Sequence, residues 1–112
     1  MPGFEPGEVV KVPFPYTDKA TRQRRPALVV ASGPLEQNHG LVWVLMITSA
    51  ENRPWPGDVP IAALAKAGLP APSVVRTAKI ATIERRDAEP LGRLAPAAFS
   101  EVQKRLAATL PK

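Results

Sequence analysis

The sequence predicts a small, mainly β barrel with one α-helix packed at its C-terminal end. Short apolar runs rich in β-branched residues alternate with turn-forming residues, which is typical of strands in a small barrel. The 14 prolines among 112 residues interrupt the chain too often for long helices. Helical spacing of apolar residues appears clearly near the end of the chain alone. At this length we expect a single domain over residues 1–112.

The first half of the chain predicts strands at residues 8–12, 27–31 and 41–47. The first strand shows alternation and ends at Pro13, since proline cannot donate to a strand ladder. The other two strands are wholly apolar, as expected for strands buried on both faces. A polar loop joins the first two strands, and a turn-rich stretch over residues 32–40 precedes the third.

The second half is less regular. A loop at residues 51–57 leads into a predicted short strand at 58–61, which a helix-permissive stretch at 62–67 follows. Two further strands are predicted at residues 73–77 and 79–83. Residues 84–94 are charged and irregular. The terminal helix starts with Pro96 in its first turn and ends before Pro111. Its apolar face consists of Phe99, Val102, Leu106 and Leu110.

Composition excludes several function classes. The chain has no cysteine and one histidine, so disulfides, thiolate metal sites and cysteine nucleophiles are excluded, and we expect no bound metal and no cofactor. The sole histidine, His39, is predicted to lie in a turn at the surface. No apolar run approaches the ~20 residues of a membrane span, and the N-terminus lacks a signal-peptide core. These features indicate a soluble cytoplasmic protein without membrane contact.

The charge distribution favours a nucleic-acid partner. Fifteen Lys and Arg against ten Asp and Glu give a net charge of +5, with an isoelectric point near 10.1. Lys19, Arg22, Arg24 and Arg25 lie within one short loop, where clustered cations focus the electrostatic potential.

Three ordered stretches carry a family resemblance. They are residues 7–18 with the following Arg25-Pro-Ala-Leu-Val-Val, the strand ending in Ile47-Thr-Ser, and residues 73–83 with the Leu-Gly-Arg-Leu at 91–94 and the terminal helix. Together they resemble the MazF/PemK-like toxins of type II toxin–antitoxin systems. The resemblance implies an SH3-like (CcdB/MazF-type) barrel, a homodimer, cleavage of single-stranded RNA, and an acidic antitoxin that covers the active groove.

Arg25 and Thr48 match the family residues that act on the scissile phosphate. In metal-independent cleavage the 2′-hydroxyl of RNA attacks the adjacent phosphorus, and the protein stabilises the resulting charge. A guanidinium offers a bidentate fork to two phosphate oxygens. The alternatives are an Arg25 ion pair with Asp18 or Glu8, and a turn-forming hydroxyl at Thr48.

Arg76 matches an arginine that in some family members works with a carboxylate two residues further along. That position is Ala78 here, so the family's proposed general base is missing. Its absence raises the question whether the protein is slow or inert, and leaves the identity of the base open. A simple cross-strand ion pair is the alternative role for Arg76.

Further residues are candidates for binding RNA. Phosphate contacts, which position RNA without reading its sequence, are predicted for Lys19, Arg22, Arg24, Arg53 and Lys79, with Ser49 beside them. Trp55, between two prolines, either stacks an unpaired base or covers an edge of the core. Trp43, in an apolar strand, belongs either to the core or to a dimer interface.

The sequence therefore favours a metal-independent, sequence-selective endoribonuclease toxin whose product ends in a 2′,3′-cyclic phosphate. A non-enzymatic, CcdB-like gyrase poison is one alternative. A catalytically inert, basic RNA-binding domain is another, which the missing carboxylate keeps open. Because a small barrel gains core by pairing, a homodimer is expected.

Overall fold

The computed structural model describes residues 3–13 and 24–109. These residues form six strands and three helices, and a 3₁₀ turn lies at Arg85–Asp87. The strands are β1 (Glu8–Pro13), β2 (Arg24–Ala31), β3 (Leu41–Ser49), β4 (Asp58–Pro60), β5 (Ser73–Glu84) and β6 (Glu89–Arg93). The helices are α1 (Pro34–His39), α2 (Leu64–Ala67) and α3 (Pro96–Thr109). Mainly β structure with a C-terminal helix is the predicted class.

The strands form one antiparallel sheet in the order β4-β5-β3-β2-β1-β6. Apolar residues are buried on both of its faces, because successive side chains of a strand point to opposite sides. Val9, for example, belongs to one apolar cluster, which the helices cover, and Val10 belongs to the other. The wholly apolar sequences of β2 and β3 follow from this burial on both faces.

Helix α3 seals the first of these clusters with the face that the sequence predicts. Val102 is fully buried there, and Phe99 and Leu106 pack against the cluster while remaining partly exposed. Phe14, Leu110 and Pro111 lie outside the described residues. Within the described part of the chain, none of the helices combines the length and apolar character that a bilayer crossing requires.

Two stretches that were predicted to lack regular structure contain a helix and a strand. The turn-rich stretch at 32–40 contains α1, a helix with no side-chain cap and no buried residue, which Pro34 in its first turn and Gly40 at its C-cap mark instead. The stretch at 84–94, predicted to be irregular, contains β6. This strand pairs with β1 alone and lies at the edge of the sheet, which explains its exposed, charged sequence.

Strand β5 is continuous where two strands were predicted, but its pairing with β3 breaks in the middle. Leu45 pairs with Ile80, whereas Ile47 pairs with Val75. Residues 76–79 therefore face a single residue of β3, Met46. Irregularities of this kind bend a strand and re-aim its side chains. The break includes Ala78, the residue between the two segments that the sequence predicted as separate strands.

Candidate active site

Strands β2, β3 and β5 bring four of the predicted site residues around one small pocket. Its lining consists of Arg25, Met46, Ile47, Thr48, Arg76 and Lys79. The register of the sheet explains the meeting of the first pair. Ala27 pairs with Met46, and two residues further along the antiparallel strands lie Arg25 and Thr48. Spacing of two keeps side chains on the same face as the paired residues.

The irregular segment of β5 supplies the remaining cations. Because residues 76–79 are looped out of the β3 ladder, Arg76 and Lys79 both reach the pocket although they are three positions apart. In a regular strand, residues three apart point to opposite faces. The break in the ladder is therefore what places two positive charges opposite Arg25.

Arg76 is buried in a cross-strand ion pair, the alternative role considered from the sequence. It pairs in register with Asp58 of β4. Its Nε donates to Asp58 Oδ1 at 3.2 Å and its Nη2 to Oδ2 at 3.0 Å, and both side chains are 11% exposed. Nη2 also donates to the carbonyl oxygen of Arg53 at 2.8 Å. These bonds tie the loop at residues 50–57 to β5.

Trp55 covers this ion pair. The Arg76 guanidinium carbon lies 4.3 Å from the centroid of the indole ring, and the Lys79 ammonium lies 5.6 Å from it. The backbone N–H of Trp55 donates to Asp58 Oδ2 at 3.0 Å. The side chain nevertheless stays 38% exposed, so part of the ring faces solvent beside the pocket. Cation–π contacts of this kind strengthen as the cation is desolvated.

A second attachment holds the same loop one residue before Asp58. The buried Thr77 donates its hydroxyl to the carbonyl oxygen of Gly57 at 2.8 Å. Gly57 has φ +93°, and a Cβ at this position would lie 2.8 Å from Thr77 Oγ1. Both the backbone conformation and the lack of space require glycine there.

Thr48 takes part in a turn as well as in the pocket. Its Oγ1 accepts a hydrogen bond from Asn52 Nδ2 at 2.5 Å. The turn between them is closed by the Asn52 N–H, which donates to the Ser49 carbonyl at 3.0 Å. The Ser49 hydroxyl accepts from the Glu51 N–H at 3.2 Å. Ser49 is thus exposed next to the pocket but also engaged in the turn.

The other predicted RNA contacts are scattered. Arg24 donates from Nη2 to the Asp87 carbonyl at 2.8 Å and lies 3.8 Å from Glu89, so it bridges β2 to the β5–β6 connection. Arg53 is exposed on the loop. Lys19 and Arg22 lie outside the described residues, as does Asp18. The structure therefore gathers Arg25, Thr48, Arg76 and Lys79, with Ser49, Arg53 and Trp55 on the neighbouring turn and loop.

Sequence reasoning missed Asp58 and Asn52. Asp58 stands in a predicted edge strand, and it can be matched with Arg76 once the strand register is known. Asn52 lies four residues after Thr48, and in a loop this spacing does not predict a contact between the two side chains. Asp58 does not replace the carboxylate missing at Ala78, because its oxygens already accept bonds from Arg76 and Trp55.

The ionisable groups of the pocket are cations. No carboxylate or histidine is among the lining residues. In the two described ranges, no three His, Cys, Asp or Glu residues lie together in a way that could hold a metal ion. The arrangement is suited to binding a phosphate group whose negative charge increases during a reaction.

Comparison with known proteins identifies the class of protein that this fold and pocket define. The family model described as PemK-like, MazF-like toxin of type II toxin–antitoxin system matches residues 5–110. The chain therefore belongs to this family of toxins. No curated protein matches the chain in a separate comparison.

Solved structures agree with the family assignment. MazF from Deinococcus radiodurans is 24% identical, with 96% of each chain covered and a TM-score of 0.74. A MazE–MazF complex from the same organism is 26% identical, with 93% of this chain and 92% of that chain covered and a TM-score of 0.71. An endoribonuclease in complex with its cognate antitoxin from a mycobacterial species is 19% identical, covering 100% and 99% of the chains, with a TM-score of 0.71. The predicted MazF-type fold is confirmed.

Proposed function

We propose that this toxin is a metal-independent, sequence-selective endoribonuclease that cleaves single-stranded RNA. The observation that carries the proposal is the pocket in which Arg25 and Thr48 meet Arg76 and Lys79. Membership in the PemK-like, MazF-like family supports it, as does the similar fold of a mycobacterial endoribonuclease. A gyrase poison would have no need for cations converging on a pocket of phosphate size.

The substrate supplies the nucleophile in the proposed reaction. The ribose 2′-hydroxyl gives up its proton to water as its oxygen attacks the adjacent phosphorus, and the bond from phosphorus to the 5′-oxygen of the next nucleotide breaks. The leaving 5′-oxygen takes up a proton, so the products are a 2′,3′-cyclic phosphate and a 5′-hydroxyl. Arg25 binds two phosphate oxygens through its planar fork, and Thr48 donates a hydrogen bond to the same group. Lys79 adds positive potential as negative charge develops on the phosphorane, whereas Asp58 balances the charge of Arg76.

The source of the rate enhancement follows from what lines the pocket. Since the lining residues include no carboxylate and no histidine, we assign the enhancement to charge stabilisation and positioning rather than to a strong general base. Arg76 holds the loop beside the pocket in place, because its Nε and Nη2 are committed to Asp58 and to Arg53.

The loop beside the pocket is proposed to hold the RNA strand. The exposed part of the Trp55 ring stacks an unpaired base, an interaction that accepts any base because each has a π-face. Lys79, Arg53 and Ser49 follow the backbone on the same side. Arg24, Lys19 and Arg22 extend the basic surface and contact phosphates further along the strand.

The proposed assembly is a homodimer that an acidic antitoxin neutralises in the cytoplasm. Trp43 and Ile80 are 45% and 44% exposed, so Trp43 does not belong to the core. Trp43 pairs with Thr82, and Ile80 pairs with Leu45, which places the two apolar side chains on one face of neighbouring strands. A second copy covering them would remove this apolar area from water. The MazE–MazF complex among the similar structures supports an antitoxin partner.

The reaction is tested by incubating the pure protein with a mixed-sequence RNA in excess EDTA. We expect cleavage at a restricted set of sequences, with 2′,3′-cyclic phosphate and 5′-hydroxyl ends. A substrate with deoxyribose at the single position 5′ to the scissile bond should stay intact. Loss of activity in EDTA that magnesium restores, or cutting of the deoxy substrate, would overturn the mechanism. RNA binding without cleavage, or inhibition of gyrase, would support one of the two alternatives.

A further inference from the structure

We propose that Asn52 is a positioning residue that orients the Thr48 hydroxyl as a hydrogen-bond donor to the scissile phosphate. This inference rests on the proposed function and adds a residue to its machinery. Asn52 does not line the pocket. It acts through Thr48, whose Oγ1 accepts the Asn52 side-chain amide at 2.5 Å.

The direction of this hydrogen bond decides what Thr48 can do. A hydroxyl has one proton to donate and two lone pairs. Since Asn52 Nδ2 is a donor, it occupies one lone pair of Thr48 Oγ1 and leaves the proton free to point elsewhere. A threonine without this partner could turn its proton toward a nearby backbone carbonyl, as hydroxyls at strand ends commonly do. Asn52 thus selects the state in which the hydroxyl serves the phosphate.

The same bond strengthens the donor. When a hydroxyl oxygen accepts a hydrogen bond, its own O–H becomes more polar, an effect of about 10–30% per bond in hydrogen-bonded chains. Charge on a phosphorane oxygen is greater than on the ground-state phosphate, so a stronger and correctly aimed donor favours the transition state more than the substrate. The expected loss on removing Asn52 is therefore in kcat more than in KM.

Asn52 itself is held in place by the turn. Its backbone N–H donates to the Ser49 carbonyl at 3.0 Å, and the Glu51 N–H donates to the Ser49 hydroxyl at 3.2 Å. The segment from Thr48 to Asn52 therefore closes on itself by three hydrogen bonds. Asn52 can orient Thr48 without bound RNA, so the hydroxyl is preorganised before the substrate arrives.

The decisive experiment is a double-mutant cycle on cleavage of one RNA substrate. Asn52→Ala should lower kcat about tenfold, which corresponds to about 1.4 kcal/mol, with KM nearly unchanged. Asn52→Asp should lower kcat further, since a carboxylate only accepts and would draw the Thr48 proton away from the phosphate. In a Thr48→Val background, Asn52→Ala should change kcat less than about twofold, because the group through which it acts is gone. Asn38→Ala, at the exposed end of α1, is the matched control and should leave kcat unchanged.

Two kinetic outcomes would overturn the inference while leaving the endoribonuclease intact. One is an Asn52→Ala loss that persists in the Thr48→Val background, which would mean that Asn52 acts on the loop or the RNA directly. The other is full activity of Asn52→Ala. The hydrogen bond can also be tested without substrate: Thr48→Val should shift the Asn52 side-chain amide resonances and speed their hydrogen exchange, and unchanged resonances would overturn it. Absence of cleavage by the wild-type protein, with that shift present, would instead count against the proposed function.

Discussion

The two arginines that line the pocket belong to regions of opposite construction. Arg76 comes from β5, beside the edge strand β4, and is buried, with its charge matched by Asp58 and its plane covered by Trp55. Arg25 is the second residue of β2, and its side chain is exposed. The first region is built for stability, and the second leaves a cation accessible to a ligand. Substitutions on the two sides should therefore affect different measurements.

Arg25→Ala should give the largest effect on activity and the smallest on stability. We expect kcat for RNA cleavage to fall by about a hundredfold to a thousandfold, the usual loss on removing a charge-stabilising donor. The melting temperature should stay nearly unchanged because the side chain is exposed. Arg25→Lys should also be poor, since an ammonium cannot replace the bidentate fork. Normal cleavage by the alanine variant would show that the pocket is not the active site.

Asp58→Ala should have the opposite profile. It leaves the buried Arg76 guanidinium without its counter-charge, and breaking such a pair costs about 3 kcal/mol of unfolding free energy. For a domain of this size, the melting temperature should fall by about 10 °C. Glu101→Ala, which breaks the exposed Arg105–Glu101 pair on α3, is the control and should cost under about 0.5 kcal/mol. Equal melting temperatures for the two variants would contradict the structural role assigned to Asp58.

Trp55→Ala should affect both measurements moderately. Removing the ring on which a base stacks costs about 1–3 kcal/mol, so RNA affinity should fall about tenfold, and the uncovered Asp58–Arg76 pair should weaken the fold slightly. Trp55→Phe keeps a ring and should retain most of the affinity. Fluorescence anisotropy with a cleavage-resistant RNA separates binding from catalysis. If alanine and phenylalanine variants bind equally well, the ring does not stack a base.

Lys79→Ala should give the smallest change, and it is visible mainly in the salt dependence of RNA binding. Removing one cation that neutralises a phosphate of single-stranded RNA should reduce the log–log salt slope by about 0.7. Lys66→Ala is a suitable control, since Lys66 lies on α2, away from the pocket lining. A slope that stays the same in Lys79→Ala would place the RNA backbone elsewhere.

Most strands and the terminal helix are predictable from the sequence, because apolar runs and turn residues mark a strand regardless of which strand it pairs with. Strand β6 is not predictable in this way, since an exposed edge strand need not carry an apolar pattern. Of the pocket, Arg25, Thr48, Arg76 and Lys79 are all candidates from the sequence, yet their meeting depends on strand register.

The sequence alone does not show which residues that are distant along the chain contact each other in the fold. The choice between a catalytic and an ion-paired Arg76 depends on β4 lying beside β5, and no local pattern reveals that neighbour. Trp43 shows the same limit. It stands in a run of apolar residues that predicts burial, but it is 45% exposed.

The glycine at the end of the loop has a consequence for how such toxins diversify. Gly57 admits no side chain against Thr77, and the next residue, Asp58, is committed to the buried ion pair. The side chains at residues 51–56 are all exposed by contrast. The loop thus has a fixed end at Gly57 and Asp58, and the exposed side chains at residues 51–56 can be replaced at little cost to folding. Libraries randomised at Arg53 and Trp55 should yield folded toxins with altered RNA affinity, whereas libraries that include Gly57 should yield mainly unfolded ones.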